Sequence, residues 1–161
     1  MRSSYPPRHA NMDRRIGLAS IFMDKVVLLV EDNADDVFLL QEAMKLHSVS
    51  ATLIVIDDGE KAIHWIKQND LSDHRVSPSA IILDLNLPKR SGAEVLAVLR
   101  SSDSLNQTPV IIFSSSKSER DRALRDRYPH TSYVCKSTDF DEFSNIGSAL
   151  KQVLESPSSP Q

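Results

Sequence analysis

The stretch "VVLLVEDNADD", residues 26–36, decides the fold, because it joins an apolar strand directly to a row of acids. Its five apolar residues form an unbroken run, which is typical of a strand buried on both faces. The run ends at Glu31 and Asp32, and two further acids follow at Asp35 and Asp36. Adjacent carboxylates repel each other and resist burial, so acids at the end of a buried strand require an explanation.

The same alternation of apolar runs and helical segments continues along the chain. It predicts an α/β fold built around a buried parallel sheet. Asn33 is a good helix N-cap, and the acids at 35 and 36 suit the positive first turn of a helix. The predicted strands are 25–31, 51–56, 79–84, 109–114 and 132–136, and the predicted helices are 34–47, 59–69, 92–101, 117–128 and 139–155.

Composition and charge limit the classes of function. The chain has 161 residues, of which 40% are hydrophobic and 25% are charged, as in a soluble globular domain. No apolar run approaches the roughly 20 residues of a membrane span, so no membrane contact is expected. The single cysteine, Cys135, cannot form an internal disulfide, which favours the cytoplasm.

The charge is unevenly placed along the chain. Residues 1–22 carry a net charge of +3 and the remainder carries −6, so nucleic-acid binding is not expected. Residues 1–23 are predicted to be a disordered N-terminal extension, residues 24–155 the folded domain, and residues 156–161 a flexible tail. Met23 directly precedes the first strand, so a translation start at Met1 and one at Met23 both stay open.

Acids recur at the end of a second predicted strand, where "AIIL" runs into Asp84. The carboxyl ends of parallel strands meet at one edge of the sheet, where ligands bind. Glu31, Asp32 and Asp84 should therefore converge if their two strands are neighbours. A divalent cation would relieve the repulsion, and Mg²⁺ prefers such hard oxygen ligands.

The fourth and fifth predicted strands bring a hydroxyl and an ammonium to the same edge. They end in Ser114 and Lys136. A carboxylate, a metal ion, a hydroxyl and an ammonium together are suited to phosphoryl transfer, because the cations neutralise the phosphoryl oxygens while a carboxylate attacks. This combination predicts a phosphoryl-transfer site.

Four stretches, "LLVEDNADDVFLLQEA", "IILDLNLPKRSGAEVLAVLR", "PVIIFSSS" and "SYVCKS", resemble the receiver domain of bacterial two-component response regulators. The resemblance covers about residues 24–155 and is nearest to single-domain regulators of the phytochrome-associated type. It implies a flavodoxin-like, doubly wound (βα)5 fold whose five-stranded parallel sheet has the strand order 2-1-3-4-5.

The resemblance also implies a role for each site residue. Asp84 would be the phosphorylated residue. Asp32 would bind Mg²⁺ directly, and so would the backbone carbonyl of Asn86. Glu31 would assist in binding the ion, often through water. Ser114 and Lys136 would contact the phosphoryl group, and Tyr133 would change rotamer when Ser114 turns toward it. The phosphoryl donor would be a phosphohistidine on a sensor histidine kinase, with a phytochrome-type kinase as one candidate.

Two positions depart from the family pattern. The lesser is Ser91, where an aspartate or a similar polar residue often precedes the glycine, and we expect little effect from it. The other follows Lys136. The lysine is usually followed by proline in a cis bond, whereas residue 137 is serine. A cis bond before a residue other than proline costs about 2.5–4 kcal/mol. Two alternatives therefore stay open: a cis bond before Ser137, or a trans loop in which Lys136 approaches the site differently.

Three functions compete. The first is a phosphorylation switch that signals through the surface of helix 4, strand 5 and helix 5, with Arg122, Tyr133, Phe140 and Phe143 as candidate contacts to a partner or to a second copy in a homodimer. The second is an aspartyl-phosphate phosphatase, which Asn86 disfavours because an amide cannot act as an acid or a base. The third is a phosphate-independent interaction module, favoured only by Ser137. We expect a signalling protein rather than an enzyme, with at most self-catalysed phosphotransfer and dephosphorylation.

Overall fold

The structure is a computed structural model that describes residues 25–156. The predicted extension 1–23, the alternative start at Met23 and the tail beyond Ser156 lie outside the described residues. The strands are β1 (Val26–Val30), β2 (Thr52–Ile56), β3 (Ala80–Leu83), β4 (Val110–Ser114) and β5 (Thr131–Cys135). The helices are α1 (Ala34–Leu46), α2 (Gly59–Leu71), α3 (Gly92–Ser101), α4 (Glu119–Arg127), α5 (Phe140–Phe143) and α6 (Asn145–Glu155).

The five strands form one parallel sheet in the order β2-β1-β3-β4-β5, which confirms the predicted fold and strand order. β1 lies between β2 and β3, with Val30 level with Leu83 of β3. The acids that follow these two strands are therefore neighbours at the carboxyl edge of the sheet.

Helices cover both faces of the sheet, and this explains the unbroken apolar runs. Leu28 and Val30 face one buried cluster, which also contains the apolar sides of α2 and α3. Val27 and Leu29 face a second cluster, which contains the apolar sides of α1 and α6. Because successive residues of a strand point to opposite faces, burial on both faces requires apolar residues at every position.

Helix α1 begins as the sequence predicts. The side chain of Asn33 accepts a hydrogen bond from the backbone N–H of Asp35 at 2.9 Å, and Asp35 and Asp36 occupy the first turn. Leu40 and Ala43 are buried against the sheet. The cap fixes the direction in which the helix leaves β1, and so the position of Asp36.

The predicted helix 139–155 is divided into α5 and α6 at Ser144. The Ser144 hydroxyl donates a hydrogen bond to the Asp141 carbonyl at 2.8 Å, which satisfies a carbonyl where the first segment ends. Phe143, expected on a partner face, is only 2% exposed. Its ring centroid lies 4.9 Å from that of Phe113, edge to face at 80°. Phe143 is therefore a core residue, which corrects the expectation.

Helix α4 has little apolar contact with the rest of the fold. None of its residues is buried, and Leu124 is half-buried while Ala123 is exposed. On its surface, the Arg125 guanidinium contacts the Asp126 carboxylate at 3.1 Å, and both side chains are exposed. Among residues 25–156, no helix is long and apolar enough to cross a membrane.

Candidate phosphoacceptor site

Three carboxylates meet at the carboxyl edge of the sheet. One oxygen atom from each of Glu31, Asp32 and Asp84 lies within 4.8 Å of the others. Glu31 and Asp84 are buried, with 3% and 5% exposure, whereas Asp32 is exposed. Hard oxygen donors at this spacing, one of them open to solvent, fit a Mg²⁺ ion that keeps part of its water shell.

The Lys136 ammonium contacts two of these acids and also Asp36 of α1. Its Nζ donates to Glu31 at 2.6 Å, to Asp84 Oδ2 at 2.8 Å and to Asp36 Oδ2 at 2.8 Å. All three donors of the ammonium are therefore used on carboxylates. The Lys136 side chain is only 9% exposed, so these contacts are poorly screened by solvent.

Burial and ion pairing have opposite effects on the pKa of Lys136 and on the pKa of Glu31. Burial alone would lower the pKa of Lys136, but hydrogen bonds to Asp36, Asp84 and Glu31 outweigh it and raise the pKa well above its usual range. Burial raises the pKa of Glu31, and the neighbouring Lys136 offsets this only in part. Lys136 is therefore firmly cationic, as a group that binds phosphoryl oxygens must be.

Backbone contacts hold the Asp84 carboxylate in place. The Asn86 N–H donates to Asp84 Oδ1 at 3.0 Å, while Lys136 occupies Oδ2. Gly92 allows the start of α3 to approach closely, since a Cβ there would lie 2.1 Å from the Asp84 carbonyl oxygen. A side chain at this position would displace the backbone of Asp84.

Ser114 and Tyr133 occupy the side of the site toward α4. Ser114 is fully buried, and its hydroxyl oxygen lies 3.5 Å from the Asn86 side-chain nitrogen. The Tyr133 hydroxyl donates to the Ser116 carbonyl, and the Ser116 hydroxyl donates to Asp121 of α4. Burial raises the pKa of Tyr133. The loop after β4 is thus tied to both β5 and α4.

The bond between Lys136 and Ser137 is trans, since the described chain contains no cis peptide bond. The Lys136 N–H donates to the Ser114 carbonyl at 3.0 Å, which continues the ladder between β4 and β5 by one residue. The lysine side chain still reaches Asp84. Serine at position 137 therefore does not remove the ammonium from Asp84.

Asp36 is a site residue that the sequence did not indicate. The sequence predicts only that Asp36 lies in the first turn of a helix, and it does lie there. Its side chain also points to Lys136, which is a hundred positions away in the sequence. Spacing between residues could not reveal this contact, because the distance depends on where α1 passes the end of β5.

The other candidate contacts form a face on α4, β5 and α5. Arg122 and Phe140 are exposed and Tyr133 is half-buried, so these three side chains remain available to a partner. Phe140 is 41% exposed, so part of its ring is open to solvent on this face.

A parallel doubly wound sheet with an acid cluster, a buried serine and a paired lysine at its carboxyl edge defines a phosphoacceptor signalling domain. The family model of the response regulator receiver domain matches residues 27–146. The chain belongs to this family, whose function is phosphorylation-based two-component signalling.

The relatives include regulators associated with phytochromes. Response regulator Rcp1 of Synechocystis sp. is 39% identical over 97 residues, which span 60% of this chain and 66% of Rcp1. The crystal structure of the phosphorylated cyanobacterial phytochrome response regulator RcpA has a TM-score of 0.72 at 32% identity and covers 84% of this chain and 97% of that one. The Mn²⁺-bound form of Rcp1 has the same TM-score and identity, with 85% and 99% covered.

Proposed function

We propose that this chain accepts a phosphoryl group on Asp84 from a phosphohistidine of a sensor histidine kinase of the phytochrome type. The observation that carries the proposal is the Asp84 carboxylate itself, buried at a strand end and held by the Asn86 N–H and by Lys136. The phosphorylated state of RcpA and its description as a phytochrome regulator support the acceptor and the kinase class.

Each site residue has a defined part in the transfer. An Asp84 oxygen forms the new bond to phosphorus, while the bond from phosphorus to the donor imidazole breaks and leaves its electron pair on nitrogen. Lys136 turns from the carboxylate to a phosphoryl oxygen, and the Ser114 hydroxyl donates to another. These contacts stabilise the charge that develops on the phosphoryl oxygens.

The donor set suggests Mg²⁺ as the cofactor. Asp32, Asp84 and the Asn86 carbonyl would hold it directly, with Glu31 assisting through water, and the bound Mn²⁺ in Rcp1 supports a divalent ion here. When bound, the ion would neutralise charge on the transferring phosphoryl group. The single cysteine agrees with a cytoplasmic site for the reaction.

The signal would leave through the face formed by Arg122, Tyr133 and Phe140. Tyr133 links this face to the site, because its hydroxyl donates a hydrogen bond to Ser116 in the loop that directly follows Ser114. We place the contact to a downstream protein, or to a second copy of the chain, on this face.

The test is intact-protein mass after incubation with acetyl phosphate and Mg²⁺. We expect one added phosphoryl group in the native protein, none in Asp84→Asn, and none when a chelator removes the metal. Asp35→Asn is the matched control, because Asp35 is an exposed acid beside the cluster that does not contact Lys136. A phosphoryl group that persists in Asp84→Asn would refute the assignment, as would a folded native protein that gains none.

A further inference from the structure

Asp58 is a buried carboxylate that lies outside the acid cluster. It caps α2, since one carboxylate oxygen accepts the Lys61 N–H at 2.6 Å. Its side chain is only 6% exposed, and the second oxygen lies 2.8 Å from the Lys89 ammonium. A buried charge requires a partner. Here the partner comes from the loop that follows Asp84.

Lys89 adopts an unusual backbone conformation to make this contact. Its φ is +64°, in the left-handed region that disfavours residues with a Cβ. Such a conformation persists only when surrounding contacts enforce it, and it is common near functional sites. Lys89 gains a close ion pair with Asp58 at 2.8 Å, and Glu60 of α2 lies farther from its ammonium at 3.9 Å.

The backbone of the same loop is also attached to α2. The Gly59 N–H donates to the Pro88 carbonyl at 3.2 Å. A Cβ on Gly59 would lie 1.9 Å from the Arg90 carbonyl oxygen, so only glycine permits this approach. The loop is therefore held against the start of α2 by a side chain and by the main chain.

The other end of the loop reaches the phosphoacceptor. Asn86 donates its N–H to Asp84 Oδ1 at 3.0 Å, and the Gly92 N–H closes the loop on the Leu85 carbonyl at 3.0 Å. Between these points, residues 88–90 contact the start of α2, and the Arg90 guanidinium also contacts Glu94 of α3 at 3.1 Å. A displacement of Lys89 would therefore be transmitted to Asn86.

We propose that Asp58 and Lys89 are positioning residues of the phosphoacceptor site, which hold the loop 85–90 against α2. The held loop presents the Asn86 N–H to the Asp84 carboxylate and the Asn86 carbonyl to the divalent ion. This inference rests on the proposed function of Asp84. It adds α2, an element that contributes no group to the reaction, to the structures that the reaction requires.

Two variants of Lys89 separate a purely structural role of the ion pair from a positioning role. Lys89→Met removes the ion pair and keeps the backbone strain, whereas Lys89→Gly removes both. The glycine variant should therefore melt at a higher temperature than the methionine variant. A positioning role predicts that both variants nevertheless lose Mg²⁺ affinity, because both free the loop.

The experiment measures Mg²⁺ binding by isothermal titration calorimetry, the rate of phosphorylation by acetyl phosphate, and the melting temperature. We expect Lys89→Met, Lys89→Gly and Asp58→Asn each to weaken Mg²⁺ binding by roughly tenfold, as when the support of a metal ligand is lost. Asparagine preserves the helix cap. The double variant of Asp58 and Lys89 should resemble either single variant, and Lys89→Arg should retain most of the affinity.

Lys61→Met is the matched control. Lys61 approaches Asp58 from the same surface, at 3.7 Å, and it is not part of the loop. Near-native Mg²⁺ affinity and phosphorylation rate in this control support the proposal. Variants of Asp58 and Lys89 that melt earlier but bind Mg²⁺ and react as the native protein does would overturn it. A native protein that neither binds Mg²⁺ nor gains a phosphoryl group would overturn both this inference and the proposed function.

Discussion

The Lys136 ammonium lies 2.8 Å from an Asp36 carboxylate oxygen, so the lysine of the site is bound to α1 as well as to the two buried acids. Asp36 is 21% exposed at its side chain, whereas Glu31 and Asp84 are almost fully covered. The three ion pairs are therefore not equivalent. Asp36 can keep its partner when Glu31 and Asp84 turn to a divalent ion.

Replacing Asp36 should weaken Mg²⁺ binding. In Asp36→Asn the cluster loses one negative charge, and Lys136 is left to compete for Glu31 and Asp84 alone. A unit charge at this range and exposure contributes about 1 kcal/mol, so the dissociation constant should rise roughly fivefold. Calorimetric titration with Mg²⁺ measures the change. Asp35→Asn is the control, and equal effects of the two substitutions would show that only overall charge matters.

Replacing Lys136 should have the opposite effect on the metal. Lys136→Met leaves three carboxylates without a cation, and breaking such a buried pair costs about 3–5 kcal/mol of folding stability. Mg²⁺ then has no competitor, so it should bind more tightly and restore much of the stability. Phosphorylation by acetyl phosphate should nevertheless fall, because the phosphoryl oxygens lose their ammonium partner.

Urea denaturation with a chelator and with Mg²⁺ tests this prediction. Lys45→Met is the control, since Lys45 forms an exposed pair with Glu42 at 2.6 Å, of a kind that contributes at most about 1 kcal/mol. A Lys136→Met protein that is as stable with the chelator as with Mg²⁺ would contradict the prediction.

The sequence predicted most of this site because the position of a residue at the end of a strand determines where it lies in the sheet. Glu31, Asp84 and Lys136 all follow apolar runs, and parallel strands bring their ends to one edge whatever the helices do. The structure brings these three side chains into contact. Asp36 is different, because it belongs to a helix. Its position depends on how α1 packs, which no local pattern of residues encodes.

The aromatic residues of α5 show a second limit of sequence patterns. Phe140 and Phe143 are three positions apart, so a continuous helix would place both on one side. Both residues lie in the four-residue helix α5, before the division at Ser144, and Phe140 is its first residue. One aromatic ring enters the core beside Phe113 and the other remains exposed. The sequence pattern predicted an apolar side of the helix, but it could not show which ring is buried and which is exposed.

Acid should reduce the stability that Asp70 contributes. This carboxylate accepts hydrogen bonds from the hydroxyls of Ser104 at 2.6 Å and Ser102 at 2.7 Å, and these contacts lower the pKa of Asp70 below its usual 3.8. A folded-state pKa below the unfolded value means that the native state binds fewer protons. The contribution is therefore complete above pH 3.8 and is lost as the pH falls through the folded-state pKa.

Urea denaturation of the native protein and of Asp70→Asn, from neutral pH to about pH 3, tests the sign of this effect. The variant should be less stable near neutral pH, and the difference should shrink in acid. Asp73→Asn, at an exposed acid close in sequence to the end of α2, is the control. A difference that stays constant with pH would show that the carboxylate charge at position 70 makes no contribution.

Phe140 should matter for association and not for folding. Its side chain is 41% exposed, so Phe140→Ser should change the free energy of unfolding little, whereas Phe143→Ala should cost about 3–5 kcal/mol as a core truncation. If the face of Arg122, Tyr133 and Phe140 joins two copies of the chain, the phosphorylated native protein should dimerise more strongly than Phe140→Ser. Sedimentation equilibrium, with beryllofluoride in place of the phosphoryl group, measures both constants. Equal dimerisation of the two proteins, or a concentration-independent monomer mass in the native protein, would place the signalling contact elsewhere.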